Sequence, residues 1–199
     1  MLKTTAMLTN ELKSYAGAAN RLGRLVTQGK YFPVVRGLYE TDRNVAGYLL
    51  AGSIYGPSYI SFDFALSQYG IIPEAVYTIT CASYNKKKKK TYSTLYGNFT
   101  YRDVPENVFY LGIRLIQQGE YFYRIASPEK ALADKLYTLP PIKNNTEMRK
   151  LLEENLRIEL ISLCSLDIDL LKEISEKYHS TNVKKLFLLI RRLKNEHCY

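Results

Sequence analysis

Asn20, Arg21, Arg24, Thr27 and Gln28 fall between positions 20 and 28. Their types could read nucleic-acid bases, because the forked donors and acceptors of arginine, asparagine and glutamine match guanine and adenine edges in the major groove. If residues 18–28 are helical, at about 100° per residue, Leu22, Leu25 and Val26 cluster on one side. Asn20, Arg24 and Thr27 then centre the opposite side, with Arg21 and Gln28 on its shoulders. An ordinary amphipathic helix facing water has the same pattern. Lys30 and Arg36 follow closely, as cations suited to phosphates. A second basic focus is Lys86, Lys87, Lys88, Lys89 and Lys90. Five adjacent like charges repel one another, so this stretch is expected to be an extended, mobile, exposed loop. It could touch phosphates or the acidic face of a partner, or serve only as a solubilising tip.

Other chemistry is thinly represented. Ser127-Pro128-Glu129-Lys130 fits the Ser-x-x-Lys spacing of some acyl-transfer enzymes. Helix capping accounts for the same residues: serine as cap, proline in the first turn, glutamate in the positive end of the dipole. Lys130 and Asp134 stand one turn apart, where a surface pair contributes about 0.3–0.5 kcal/mol. The only histidines are His179 and His197, and neither a glycine-rich phosphate cradle nor a Walker loop occurs. No catalytic residue, metal or cofactor is assigned, and the chain is read as a non-enzyme. Cys81, Cys164 and Cys198 are widely spaced with no Cys-x-x-Cys pair, suggesting neither a disulfide framework nor a zinc knuckle.

The elements that must position these residues follow from periodicity and punctuation. Thr9 is expected to cap a short helix carrying Leu12, Tyr15-Ala16-Gly17 to turn, and Ala18–Gln28 to form a second helix closed by Gly29. Tyr31–Val35 and Leu38–Glu40 flank Arg36-Gly37 as a hairpin. Residues 1–45 thus read as a winged helix-turn-helix, and 46–199 as a second, mixed domain. There, Ser61 is expected to cap a short apolar helix carrying Phe62, Ala65, Leu66 and Tyr69, ended by Gly70, which forms the hub of a core. Strands are expected at 76–82, 90–95, 99–103, 108–115 and 121–125, as an antiparallel sheet spanning 74–125. Helices follow at 127–139 and, within 146–196, at 147–159, 167–179 and 182–196. The fold class is α+β.

Composition agrees with a DNA partner. The 199 residues carry a net charge of +9. Residues 1–45 hold 7 basic against 3 acidic side chains, 46–139 hold 10 against 7, and 140–199 hold 11 against 9. A polyanion suits that excess. No apolar run approaches the roughly 18 residues of a membrane span, and the expected setting is the cytoplasm.

Pro57-Ser58-Tyr59-Ile60-Ser61, Ala65-Leu66 and Tyr69-Gly70-Ile71-Ile72-Pro73-Glu74-Ala75-Val76-Tyr77 resemble the central signature of the AbiEi family of bacterial antitoxins. Gly97-Asn98-Phe99-Thr100-Tyr101-Arg102 and Ile125-Ala126-Ser127-Pro128-Glu129-Lys130-Ala131-Leu132 match that family in the same order. The resemblance spans about residues 20–140. It implies a winged helix-turn-helix regulator of a phage-defence toxin–antitoxin system. Such a protein represses its own promoter by binding inverted repeats in double-stranded DNA, as a homodimer or as two monomers side by side. It also neutralises an AbiEii-type nucleotidyltransferase toxin, which need not be a physical partner. One departure is the short N-terminus: residues 1–8 leave no room for the leading helix of a full winged module. A brace from the second domain or a partner subunit would answer this. So would a degraded module, leaving a protein-interaction protein that no longer reads DNA; a separate alternative is an enzyme that modifies the toxin.

Overall fold

The structure, a computed structural model, describes residues 1–15 and 17–197. The chain opens with strand β1 (Leu2–Thr4), helices α1 (Thr5–Glu11) and α2 (Ala18–Thr27), and strands β2 (Phe32–Val35) and β3 (Leu38–Glu40). The strands form an antiparallel sheet in the order β1-β3-β2, with Lys3 opposite Tyr39 and Pro33 opposite Tyr39 on its other side. The first helix begins earlier than expected. Thr4 has an extended backbone and its hydroxyl accepts from the Met7 amide at 3.3 Å, so Thr9 lies inside α1 and caps nothing. The α2 boundaries agree with the sequence reading. Arg36-Gly37 makes the hairpin turn, where Gly37 takes a φ of +85° that a side chain would strain.

A junction follows, a single 3-10 turn (Gly47–Leu50) leading into α3 (Ala51–Ile54). Gly47 is needed for close approach, since a Cβ there would sit 2.0 Å from the Tyr96 carbonyl oxygen.

The larger sheet is mixed, which corrects the antiparallel expectation. Its strands are β4 (Ser58–Ile60), β5 (Ile79–Ser83), β6 (Lys90–Thr94), β7 (Gly97–Asp103), β8 (Ile113–Gln118) and β9 (Tyr121–Ala126), in the order β6-β7-β5-β4-β9-β8. β4 runs parallel to β9 and β5 parallel to β7, while β4–β5, β6–β7 and β8–β9 are antiparallel. The β4–β9 pair arises because β4 sits in the middle of the sheet, and the β5–β7 pair because β7 lies between β5 and β6. The three residues of β4 are all buried and show no inside–outside alternation, so the sequence hides it. Residues 106–109 form a helical turn, α5, instead of the start of a strand.

Helix α4 (Phe62–Gln68) is the expected hub, with Phe62, Phe64, Ala65 and Leu66 buried. Its start is built differently from the expected serine cap. The Ser61 side chain makes no cap bond and donates to Asp134, while the Thr80 hydroxyl accepts from the Phe64 amide at 3.0 Å and donates to the Ser61 carbonyl at 2.6 Å.

Helix α6 (Pro128–Tyr137) is capped by Ser127 as expected. The helix expected at 147–159 is shorter and irregular: α7 (Asn145–Lys150), capped by Asn144, runs into one π turn, and a 3-10 stretch covers Leu160–Ser165. Helices α8 (Ile168–Tyr178) and α9 (Thr181–His197) complete the chain. Asn182, at the start of α9, is buried. Its amide donates to the carbonyls of Leu136, Leu139 and Pro140 and its oxygen accepts from the Ile142 amide, which fastens the Pro140-Pro141 segment. Val34 of the small sheet belongs to the same hydrophobic cluster as the large sheet and its helices. Cys81 is buried and free, with burial pushing its thiol well above the usual range. Cys164 is disulfide-bonded, which the wide spacing of the cysteines did not suggest; Cys198 lies outside the described residues. Among the described residues no helix is long and apolar enough to cross a membrane.

Candidate nucleic-acid interface

Leu22 and Leu25 anchor α2 inward, and Asn20, Arg24, Thr27 and Gln28 are exposed. With Ala19 and Gly23 those four line one shallow groove along the helix. The Thr27 hydroxyl donates to the Gly23 carbonyl at 3.1 Å, so towards a ligand it presents its methyl group and lone pairs. Arg21 lies apart from this set. It is half-buried, its guanidinium sits 5.1 Å from the centre of the Tyr15 ring, and its Nε is buried without a partner.

Lys30 is exposed just beyond Gly29, its amide fixed to the Leu25 carbonyl at 2.9 Å. Arg36 is exposed at the β2–β3 turn and lines a second groove, with Thr5, Thr9, Gly23, Val26 and Val35. Gly23 borders both grooves, so the polar face of α2 and Arg36 form one continuous surface. No carboxylate lines either groove. The nearby Glu11 is paired with Lys3 at 2.8 Å, and Glu40 is buried, its carboxylate engaged by the terminal amine of Met1.

The lysine run is not the loose loop expected from its charge. Asp103, at the end of β7, accepts from the amides of Lys86 and Lys87 at 2.7 and 2.6 Å and from the Ser83 hydroxyl at 2.8 Å. Asn85 and Lys87 adopt positive φ to complete this turn, and the Lys86 ammonium sits 5.2 Å from the centre of the Tyr55 ring. Lys90 already belongs to β6, paired with Tyr101. The opposite end of the β6–β7 hairpin meets the N-terminal unit, where the Tyr96 hydroxyl donates to the Asp42 carbonyl at 3.0 Å. The lysines therefore stand roughly 13 Å along the strand from that junction, and no hydrogen bond or ion pair among the described residues joins them to α2.

Lys130 and Asp134 form the least expected cluster. Both are fully buried, so this is no surface pair. The Lys130 ammonium donates to Asp134 Oδ1 at 2.5 Å and to the Tyr178 hydroxyl at 3.2 Å, and lies 4.7 and 5.5 Å from the ring centres of Tyr178 and Tyr59. Asp134 also accepts from Tyr59 at 2.9 Å, from Ser61 at 2.5 Å and from Tyr178. Burial lowers the lysine's proton affinity, opposed by the adjacent carboxylate. Burial and then Asp134 push both tyrosines well above the usual range, which keeps them donors. The Ser-x-x-Lys reading finds no geometry: the Ser127 hydroxyl accepts from the Lys130 amide at 3.4 Å, and the ammonium faces Asp134. The set closes on itself and ties β4, α6 and α8 together.

His179 ends α8 with a φ of +49° and lines a groove with Thr181, Lys184 and Phe187; the His197 side chain lies outside the description. No group of three His, Cys, Asp or Glu side chains able to hold a metal occurs among the described residues. Fold and surface define a mixed α/β protein with two sheets and an exposed basic, amide-bearing helix face. No protein-family model matches the chain, and no curated protein matches it.

Proposed function

We propose that the chain is a DNA-binding autorepressor and antitoxin of the AbiEi type, acting in the cytoplasm against a nucleotidyltransferase toxin. The observation that supports this best is the continuous exposed surface of Asn20, Arg24, Thr27 and Gln28 with Arg36, free of carboxylates and borne by a β-α-α-β-β unit. In the proposed complex α2 enters the major groove of inverted-repeat promoter DNA, with Asn20, Arg24 and Gln28 meeting base edges. Lys30 and the Arg36 turn, the wing of a winged helix-turn-helix, hold phosphates. Arg21 is assigned a supporting place against Tyr15 instead of a base contact. Two copies on the two half-sites would follow the symmetry of the repeat.

A titration of the full chain against its own upstream DNA and scrambled DNA of equal length, at two salt concentrations, tests this. The expected result is preference for the upstream fragment that survives the higher salt. Equal, salt-sensitive binding to both fragments, or none, would refute it. The second reading, a protein-interaction module whose N-terminal unit no longer reads DNA, draws on the seven-residue α1 being preceded by a strand instead of a bracing helix. It expects no upstream preference and direct capture of the purified toxin.

A further inference from the structure

We infer that the surface where Tyr84 and Tyr110 meet the lysine turn and Arg102 is a binding site for single-stranded nucleic acid, separate from the α2 face. Lys88, Lys89 and Arg102 border one pocket, joined there by Thr138 and by Asp103. The Asp103 carboxylate is already engaged by two amides and the Ser83 hydroxyl, so it is occupied in holding the turn. All three cations are exposed, and none has a salt-bridge partner among the described residues.

An aromatic platform adjoins them. Arg102 pairs across the ladder with Ala82, and Tyr84 lies between Ser83 and Lys86, both held by Asp103. The Tyr84 ring packs on Phe109 with centroids 4.4 Å apart, and the Tyr110 ring follows at 6.0 Å, its hydroxyl 3.2 Å from that of Tyr84. Tyr110 is 69 % exposed, its ring perpendicular to that of Phe109 with centroids 5.0 Å apart. Such a ring offers a face to an unstacked base, while the cations beside it track the phosphates. This combination suits single strands, whose bases are free to stack, and leaves duplex DNA, whose bases are stacked already, without the aromatic contribution. Glu106 is close enough to Tyr84 to act on its hydroxyl electrostatically, so phosphates are expected along Lys88, Lys89 and Arg102 instead.

The test is fluorescence anisotropy of the full chain with labelled oligouridine RNA and oligothymidine DNA of about 12 nucleotides, within the range that single-strand sites occupy, beside a duplex of equal length. Tyr110→Ala should weaken single-strand binding by roughly 5- to 150-fold, the value of one stacked base; Tyr110→Phe should retain it, and neither should change duplex binding. Replacing Lys88, Lys89 and Arg102 by alanine should reduce the slope of log affinity against log salt by about 2, from three phosphates at roughly 0.7 each. RNA tighter than DNA would assign a 2′-hydroxyl contact, and equal affinity a shared phosphate-and-base site. The inference is overturned if neither single strand binds, if Tyr110→Ala leaves binding intact, or if Arg24→Ala abolishes it, which would place the strand on α2. It is likewise overturned if polyglutamate displaces the oligonucleotides and binds more tightly, the mark of an acidic protein partner.

Discussion

Replacing Lys130 with methionine would remove a charge while keeping much of the side chain's length and apolar stem. In the native chain that ammonium is 0 % exposed and sits 2.5 Å from Asp134. Without it the carboxylate keeps three hydroxyl donors, Tyr59, Ser61 and Tyr178, but loses its cation. Breaking a buried ion pair from one side costs about 3–5 kcal/mol because the other charge is stranded in a low dielectric. The three remaining donors place this change near the lower end, about 3 kcal/mol. A solvent-exposed pair at the same spacing would lose only about 0.3–0.5 kcal/mol, so the two accounts differ several-fold. Asp134→Leu should be worse, since it leaves the ammonium facing one hydroxyl and two ring faces and also removes the acceptor of three buried hydroxyls, each costing about 1–3 kcal/mol.

Urea unfolding followed by helix ellipticity provides the measurement, with tyrosine emission as a second probe because the chain has no tryptophan. The expected pattern is a lower midpoint at constant slope for Lys130→Met, a larger loss for Asp134→Leu, and a double variant less destabilised than the sum of the two. A Lys130→Met loss below about 1 kcal/mol, close to the surface-pair value, would refute the reasoning.

Arg24→Ala should cost about 1–3 kcal/mol on the specific duplex and little on scrambled DNA; an equal loss on both demotes Arg24 to a phosphate contact. Asp103→Ala removes the acceptor for two amides of the lysine turn, and tryptic cleavage between residues 86 and 90 should accelerate on the order of tenfold as those bonds are lost. An unchanged rate means that something other than Asp103 holds the turn. Stability should fall as pH rises past 10. Tyr59, Tyr178, Tyr101 and Tyr121 are raised above the usual tyrosine value of 10.0, and Tyr96 is pushed up to about 12, with burial the leading cause in each. The unfolded chain therefore releases these protons first, and the stability they confer is present below pH 10 and lost above it. Lys130, lowered by burial, acts with the opposite sign but is a single group. A urea midpoint that is flat or rising between pH 9 and 11 contradicts this balance.

The parts that were legible in the sequence are those whose causes are local. The span of α2 follows from apolar spacing closed by Gly29, the β2–β3 turn from Arg36-Gly37, and the start of α6 from Ser127-Pro128. The exposed face of α2 was readable for the same reason, since helical phase alone separates Leu22 and Leu25 from Asn20 and Arg24. The parts that were missed depend on partners far along the chain. β4 is a central strand only because β5 and β9 arrive from 21 and 65 residues away at the Cys81 and Ile125 partners of Ile60. Five lysines in a row imply repulsion and mobility, yet Asp103, 16 residues beyond Lys87, captures the backbone and leaves the charges on a fixed turn.

The same logic explains why Lys130 was misjudged. Spacing within α6 shows that it can reach Asp134, but not that Tyr59 and Tyr178 arrive from 75 and 44 residues away to close the site. A charge pair becomes costly or cheap according to what covers it, and that cover is tertiary. The stretch from Pro57 to Ser61 and the run from Ser127 to Leu132, separate along the chain, supply Tyr59, Ser61 and Lys130 to one buried network, with Asp134 one turn further along α6. Selection for those residues would act on the fold, and the exposed face of α2 could change without disturbing them. Variants in the buried network should therefore lose stability before they lose sequence preference, whereas variants on α2 should do the reverse.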